Sequence, residues 1–316
     1  MTVSIVELKD VTVTFKKGWL QKKVSVQAVS DVSLAIFEKE IMVLVGESGC
    51  GKTTLGRVAL RLVKPTSGKV LYLGKSMWEM ERRELKKFRP MAQIIHQDSY
   101  ASLNPVRTIY QTLKAPLLHY GVKPRDVEEK VEELLRLMGV IPPEYFFNKY
   151  PYHLSGGMRQ RVVFARSTIP KPKFIMADEP VSMIDTSLKL SILDLMMKLN
   201  EELGIAFLYI THDLATARYI GRRGKIAVMY LGKIVEIGGL EEVFQRPLLA
   251  RKKKLLPLKS LELPGAEGLP SECRFYPRCP YAKEICSREV PELKEYGDGH
   301  RVACHLVEGI PPWNLM

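Results

Sequence analysis

The 316-residue chain contains no run approaching the roughly 18 uninterrupted apolar residues needed to cross a bilayer, so any contact with a membrane is expected to go through a partner. The segment from Met1 to Asp10 carries Glu7 and Asp10 and lacks the apolar core of a secretory signal. A chain made and kept in the cytoplasm is therefore expected. Cysteine is scarce: there are five, four of them between residues 273 and 304, and Cys50 stands apart. No internal repeat is evident. No stripe of arginine alternating with aromatics runs along the chain, which gives a nucleic-acid platform little support.

What is present suffices for one large α/β domain with a smaller appendage, and 46% hydrophobic content can fill a sizeable core. Lysine and arginine number 48 against 35 aspartates and glutamates, a net charge of +13. That excess is spread over clusters at Lys16–Lys17, Lys22–Lys23, Arg82–Arg83, Lys86–Lys87, Arg222–Arg223 and Arg251–Lys254. It reads as a solvated surface suited to acidic ligands and acidic lipid headgroups.

Val3–Phe15 and Val24–Phe37 read as strands of an edge sheet joined by a basic loop, Lys16 to Lys23. Ile41–Val45 is a short apolar run suited to a buried central strand, and it leads through a Gly-rich turn into a helix. Leu55, Val58, Ala59 and Leu62 share one face of that helix, which Lys64–Pro65 should stop. Lys69–Leu73 is another strand. Residues 98–160 look like a helical insert, with Val127, Val131, Leu134, Leu135 and Met138 at helical spacing before a capping Gly139. Strand–helix alternation resumes with Phe174–Ala177, a helix over about 186–203, and Phe207–Thr211. Ile226–Tyr230 and Ile234–Glu236 form a hairpin around Leu231–Lys233. The expected organisation is a large α/β domain over 1–246, a connector over 247–270 and a small, locally stapled extension over 271–316.

Gly46-Glu47-Ser48-Gly49-Cys50-Gly51-Lys52-Thr53 satisfies G-x-x-x-x-G-K-[ST] directly after a strand and before a helix, with Thr54 following. Its glycines let backbone N–H groups turn inward around phosphate oxygens, and the helix dipole adds to their pull. Lys52 should bridge the β- and γ-phosphates, and the Thr53 hydroxyl should bind Mg²⁺. Asp178, at the end of a buried strand, is placed to reach Mg²⁺, and Glu179 to take a proton from the attacking water. Ser155-Gly156-Gly157 opens a second anion-binding helix start. One nucleotide needs only one such cradle, so the extra one implies two copies facing each other. Gln97 ends a strand candidate, Ala92–Gln97, where its amide reaches Mg²⁺. His212 follows Phe207–Thr211, within touch of a γ-phosphate, and Asp185 lies on the expected subunit face.

The order of these motifs resembles the ATP-binding cassette (ABC) ATPases over residues 3–246. The resemblance implies a P-loop NTPase core with an antiparallel edge sheet and a helical subdomain. It makes Gly46–Thr53 the Walker A loop, Gln97 the Q-loop and Leu154–Met158 the signature. Asp178 becomes the Walker B aspartate, Glu179 the catalytic base, Asp185 the D-loop residue and His212 the switch histidine. Met158 stands where the signature usually has Gln. Phe15 is the choice for stacking on adenine, with Trp19 the alternative and an edge-sheet role open for both. Within the family the chain is similar to oligopeptide/dipeptide importer ATPases, through Gln97–Pro105, Asp178–Ser182 and the Cys273–Pro280 segment with Cys286 and Cys304. Their Pro-Leu-His-Pro-Tyr-Thr run is degenerate here, at Pro247–Lys252.

That resemblance implies ATP hydrolysis driving solute import at the cytoplasmic face of the cell membrane. The implied partners are a second, related ATPase, two integral membrane permease subunits and an extracytoplasmic solute-binding protein. Oligosaccharides and nickel complexes remain open as cargo beside peptides. A soluble cassette acting on nucleic acid or ribosomes is the rival, but no nucleic-acid partner is expected.

Cys273, Cys279, Cys286 and Cys304 are spaced C-x5-C-x6-C-x17-C. Four thiolates suit a [4Fe–4S] cluster or Zn²⁺. The missing short knuckle, the Cys279-Pro280 step and the resemblance favour iron–sulfur, in a structural role. His300 and His305 read as local structure rather than substitute ligands. Replacing Cys279 is expected to loosen residues 271–316 and to leave ATP binding largely intact.

Overall fold

The computed structural model describes residues 4–17, 24–245, 272–297 and 299–307. The chain divides into two compact units, Met1–Glu79 with Ile210–Met316, and Met80–Tyr209.

The first unit opens with β1 (Ser4–Lys17) and β2 (Val24–Phe37), antiparallel partners in which Val6 pairs with Ile36 and Leu8 with Leu34. Val6 and Leu8 are buried, and beyond them Val11 and Val13. The inward phase thus moves from even to odd positions, because a β-bulge at Asp10 (φ 50°) adds one residue to the alternation. β3 (Ile41–Gly46) is buried over its first five residues and leads to α1 (Lys52–Ala59). The sequence carries that helix to Lys64–Pro65, with Leu62 on its buried face. It ends at Ala59 instead. Arg61 turns left-handed (φ 59°), the Leu62 N–H donates to the Arg57 carbonyl at 2.8 Å, and Leu62 is left 59% exposed. β4 (Ser67–Tyr72) pairs with β1 and β5 (Lys75–Ser76) with β4, giving the order β2-β1-β4-β5.

The second unit begins with α2 (Arg82–Met91) and β6 (Ala92–Ile95). The strand stops two residues short of Gln97, which lies in the turn that follows. α3 (Ile109–His119) is capped reciprocally: Thr108 Oγ1 accepts the Gln111 N–H at 3.2 Å, and Gln111 Oε1 accepts the Thr108 N–H at 3.0 Å. α4 (Val127–Leu137) buries Val127, Val131 and Leu135, and Gly139 (φ 71°) ends it as its spacing predicts. α5 (Pro143–Phe146) and α6 (Gly156–Thr168) follow, and α3, α4 and α6 pack on one another. β7 (Phe174–Asp178) runs parallel to β6, α7 (Thr186–Leu203) crosses over, and β8 (Ala206–Thr211) lies beside β7. Phe174–Ala177 and 206–210 are wholly buried, as central strands covered on both faces are.

The first unit resumes with α8 (Leu214–Ile220), β9 (Gly224–Tyr230) and β10 (Lys233–Gly238). β9 runs parallel to β3, and β9 and β10 form the expected hairpin through a two-residue turn, Leu231 and Gly232, both at positive φ (43° and 84°). β11 (Leu293–Glu295) and β12 (Arg301–Ala303) come from the tail. β12 pairs with β10, so the order is β11-β12-β10-β9-β3, and the tail extends this sheet. Under that seam His300 Nε2 lies 2.9 Å from Glu236 Oε1, both side chains buried. The connector 247–270, residue 271 and residues 308–316 lie outside the described residues. Among the described residues no helix is long and apolar enough to cross a membrane.

Candidate nucleotide site

The loop between β3 and α1 is held by close approaches that only glycine allows. A Cβ on Gly46 would lie 2.2 Å from the Met229 carbonyl oxygen, and one on Gly51 (φ 106°) 2.1 Å from that of Ala28. α1 starts from a residue without a capping side chain and has no acidic residue in its first turn, so the positive end of its dipole faces the loop. Lys52 is 5% exposed, and its Nζ donates to the carbonyls of Gly46 (2.9 Å) and Glu47 (2.7 Å). Cys50, 2% exposed, packs its Sγ beside Gly46 and 3.9 Å from Lys52 Nζ. Burial pushes its thiol up, a shift that Lys52 only partly offsets. Thr53 and Thr54 stand in the same first turn, half-buried. The arrangement is a backbone cradle for an anion with a buried ammonium beside it.

In the second unit Ser155 is the N-cap of α6. Its Oγ accepts the Met158 N–H at 3.3 Å, while the residue stays exposed. Gly156 lies against the Met183 carbonyl and Gly157 against Leu188, so this turn shares a surface with the start of α7, where Asp185 is the exposed N-cap residue. Met183 is 64% and Leu190 48% exposed on the same stretch. Asp178 ends β7 half-buried, and Glu179 follows at φ 47°, a conformation costing a non-glycine residue about 1–2 kcal/mol. The Glu179 carbonyl accepts from the Ser182 N–H (3.1 Å) and Oγ (3.0 Å), which holds the turn.

Sequence reasoning missed two arginines of α6. Arg166 Nη1 donates to the Ser102 carbonyl at 2.6 Å, and Arg159 lies 4.9 Å over the Tyr100 ring, so both grip the segment after Gln97. Burial pulls the Arg166 guanidinium below its ordinary range. Their seven-residue spacing, two helical turns on one face, was the available signal.

In the first unit His212 sits half-buried between β8 and α8, in a turn fixed by Thr211 Oγ1 accepting the Asp213 N–H at 2.9 Å and Asp213 Oδ1 accepting the Ala215 N–H at 2.9 Å. Phe15 pairs with Val26 in the edge sheet and is 44% exposed, and Trp19 lies outside the described residues. In the tail, Cys273 and Cys286 are buried against Tyr230, Leu231 and Phe275, with Cys279 packed at the margin. Cys304 is buried in a neighbouring cluster with Val302 and Val307. Among the described residues no group of three or more His, Cys, Asp or Glu is placed to hold a metal ion; three of the four thiols expected as one ligand set share one cluster, and Cys304 lies in the other. His305 Nε2 meets the Glu289 carbonyl at 3.1 Å, a local contact as expected.

Residues 29–182 match the ABC transporter family. An oligopeptide transport ATP-binding protein of Bacillus subtilis (strain 168), AppF, is 40% identical over 96% of this chain and 97% of its own length. The chain belongs to the ABC transporter ATP-binding proteins. OppF of Salmonella typhimurium, an oligopeptide transport ATP-binding protein, is 38% identical over 96% of both chains. A solved dimeric ABC cassette, MJ0796 in a post-hydrolysis state bound to ADP and Pi, superposes with a TM-score of 0.64 at 30% identity, over 74% of this chain and 98% of that one. As an ABC ATPase the chain couples ATP hydrolysis to transport, with ATP and Mg²⁺ the expected substrate and ion and membrane permeases the expected partners.

Proposed function

We propose that the chain powers import of oligopeptides or dipeptides as one of two ATPase subunits, peripheral to the cytoplasmic face of a membrane transporter. A related, non-identical cassette is its proposed mate, above it stand two permease subunits, and a solute-binding protein delivers cargo from outside. The observation that carries this reading is a buried lysine in a glycine-pinned anion cradle, in a chain aligned along 96% of its length with an oligopeptide transport ATPase. Relatives named for oligopeptide and dipeptide transport favour peptides over oligosaccharides or nickel complexes, and favour transport over a soluble role on nucleic acid or ribosomes.

The roles follow from the chemistry of the groups. N–H donors of Gly46, Ser48, Gly49, Cys50, Gly51, Thr53 and Thr54 cradle the phosphates, and Lys52 leaves its two carbonyls to neutralise the β- and γ-oxygens. The Thr53 hydroxyl, the Gln97 amide oxygen and the Asp178 carboxylate would hold Mg²⁺, each an oxygen donor of the kind that ion prefers, and a bound ion would lower the repulsion at the terminal phosphate. Glu179 takes the proton of the attacking water, and His212 contacts the γ-phosphate. Ser155, Gly156 and Gly157 are offered to the nucleotide of the facing cassette, with Asp185 beside them on that face; their shared exposed surface with Met183 and Leu188 supports this. Phe15 is proposed to stack on adenine. A [4Fe–4S] cluster, with Zn²⁺ the alternative, is proposed for the tail on donor chemistry alone: four soft thiols, with Cys304 Sγ accepting the Leu306 N–H at 3.4 Å. Elemental analysis and absorption spectra of anaerobically purified protein test it.

Exchange of Glu179 for glutamine in the reconstituted transporter tests the motor itself. Steady-state turnover should fall by about a hundredfold or more, with peptide uptake lost and an ATP-bound closed pair accumulating. Turnover at the wild-type rate would exclude Glu179 as the base.

A further inference from the structure

The cysteine tail reaches the nucleotide loop by two routes inside the first unit. Arg278, at the end of the short turn Tyr276–Arg278, places Nη1 2.9 Å from Glu47 Oε1 and 3.4 Å from the Tyr230 hydroxyl. Its guanidinium lies over the Tyr230 and Phe275 rings, 5.8 and 6.0 Å from their centroids. Glu47 is the second residue of the loop, and its main-chain carbonyl is one of the two acceptors that hold Lys52. The second route is through the β9–β10 turn. Arg274 Nη1 donates to the Leu231 carbonyl and its Nη2 to Gln27 Oε1 at 3.2 Å, while the neighbouring Gly232 N–H donates to the Cys50 carbonyl at 2.8 Å.

The Arg278–Glu47 pair is 29% and 17% exposed at its side chains, sheltered enough that solvent screens it only in part. Burial lowers the Arg278 guanidinium, but the Tyr230 hydroxyl and the Glu47 carboxylate outweigh that and leave its pKa raised. The contact joins residues far apart in the chain, and it fixes a loop residue whose side chain has no phosphate to bind. Its mechanical effect falls on the Glu47 main chain, and so on where Lys52 rests.

We propose that Arg278 is a positioning residue for ATP binding: it anchors Glu47 and thereby the loop that presents Lys52, so that an ordered tail sets the affinity for nucleotide. This rests on Gly46–Thr53 being the nucleotide loop. It also reverses the expectation that loosening the tail at Cys279, the next residue, leaves ATP binding intact.

The test uses the full chain, alone for nucleotide titration and with its membrane partners for turnover. R278A and E47Q should each raise the ATP Kd and KM about three- to tenfold, with kcat held within about twofold, as a partly screened ion pair permits. The double variant should be no weaker than either single one, R278K should recover part of the loss, and the exchange E47R/R278E should recover more. An unchanged Kd in E47Q, which leaves every tail residue in place, would overturn the proposal even if R278A failed to fold. Additive losses in the double variant would overturn it too. K52A is the reference. Loss of ATP binding there beside wild-type affinity in R278A and E47Q would reject the tail's hold alone, whereas wild-type affinity in K52A would remove the loop reading itself.

Discussion

Replacing Gly51 by alanine asks how firmly the nucleotide loop is drawn onto its floor. At φ 106° an L residue sits beyond even the left-handed helical well, a cost of about 2 kcal/mol. The new Cβ would lie 2.1 Å from the Ala28 carbonyl oxygen and 3.0 Å from Met229 Cε. The methionine can give way, but the carbonyl belongs to the paired strand β2. Restoring an ordinary carbon–oxygen separation requires the loop to lift by about 1 Å. A misplacement of that size costs on the order of a hundredfold in a site that works by fixed geometry. Titration with a fluorescent ATP analogue should show that loss, with circular dichroism confirming a folded chain. Gly74 is the control: its φ is 78° and nothing lies within 4 Å of its would-be Cβ. G74A should carry the dihedral cost alone, about 1–2 kcal/mol of stability, and leave ATP affinity unchanged. Binding by G51A within about threefold of wild type, or an equal loss in G74A, would refute the geometry argued for the loop.

Ser155→Ala removes the cap on Met158 and should cost about 1 kcal/mol of stability. ATP affinity of the single chain should not change, but ATP-dependent pairing, followed by light scattering in a Glu179→Gln background, should weaken. His300→Ala takes the imidazole from the buried Glu236 carboxylate and should destabilise the β10–β12 seam by about 1–3 kcal/mol, read as faster proteolysis within 272–307. Cys50 should resist maleimide. Because burial raises its pKa, it stays a neutral thiol at pH 7–8, and its labelling, followed by mass spectrometry, should be at least about tenfold slower than in urea and rise only at higher pH.

What the sequence revealed were features written within a few residues: the phosphate loop, the buried strands Ile41–Val45 and Phe174–Ala177, the Gly139 cap and the β9–β10 hairpin. Each depends on local conformation and burial, so the residue types suffice. α2 went unread, and α3 was read only as part of the helical insert over 98–160, although their capping residues were visible, because Pro90 and Pro116 interrupt the pattern near their ends. α1 was read too long because Leu62 continues the apolar spacing, and nothing in one residue's identity announces that Arg61 turns left-handed. The phase change at Asp10 was invisible for the same reason. At the candidate site the motifs name candidate residues from the sequence alone. The contacts that hold the site were not legible: Arg166 to Ser102 and Arg278 to Glu47 join positions far apart in the chain, and only the folded register brings them together. The tail's strands were too short, at three residues each, to show any alternation.

The tail's union with β10 bears on how the molecule avoids sticking to its neighbours. Without residues 293–303, β10 would present an unpaired row of amides and carbonyls over a buried glutamate, an open template for another chain. With them, the outermost strand is Leu293–Glu295, brief and carrying two exposed charged side chains, a rim on which a foreign strand finds little to extend. Whatever else the cysteine segment does, it finishes the sheet.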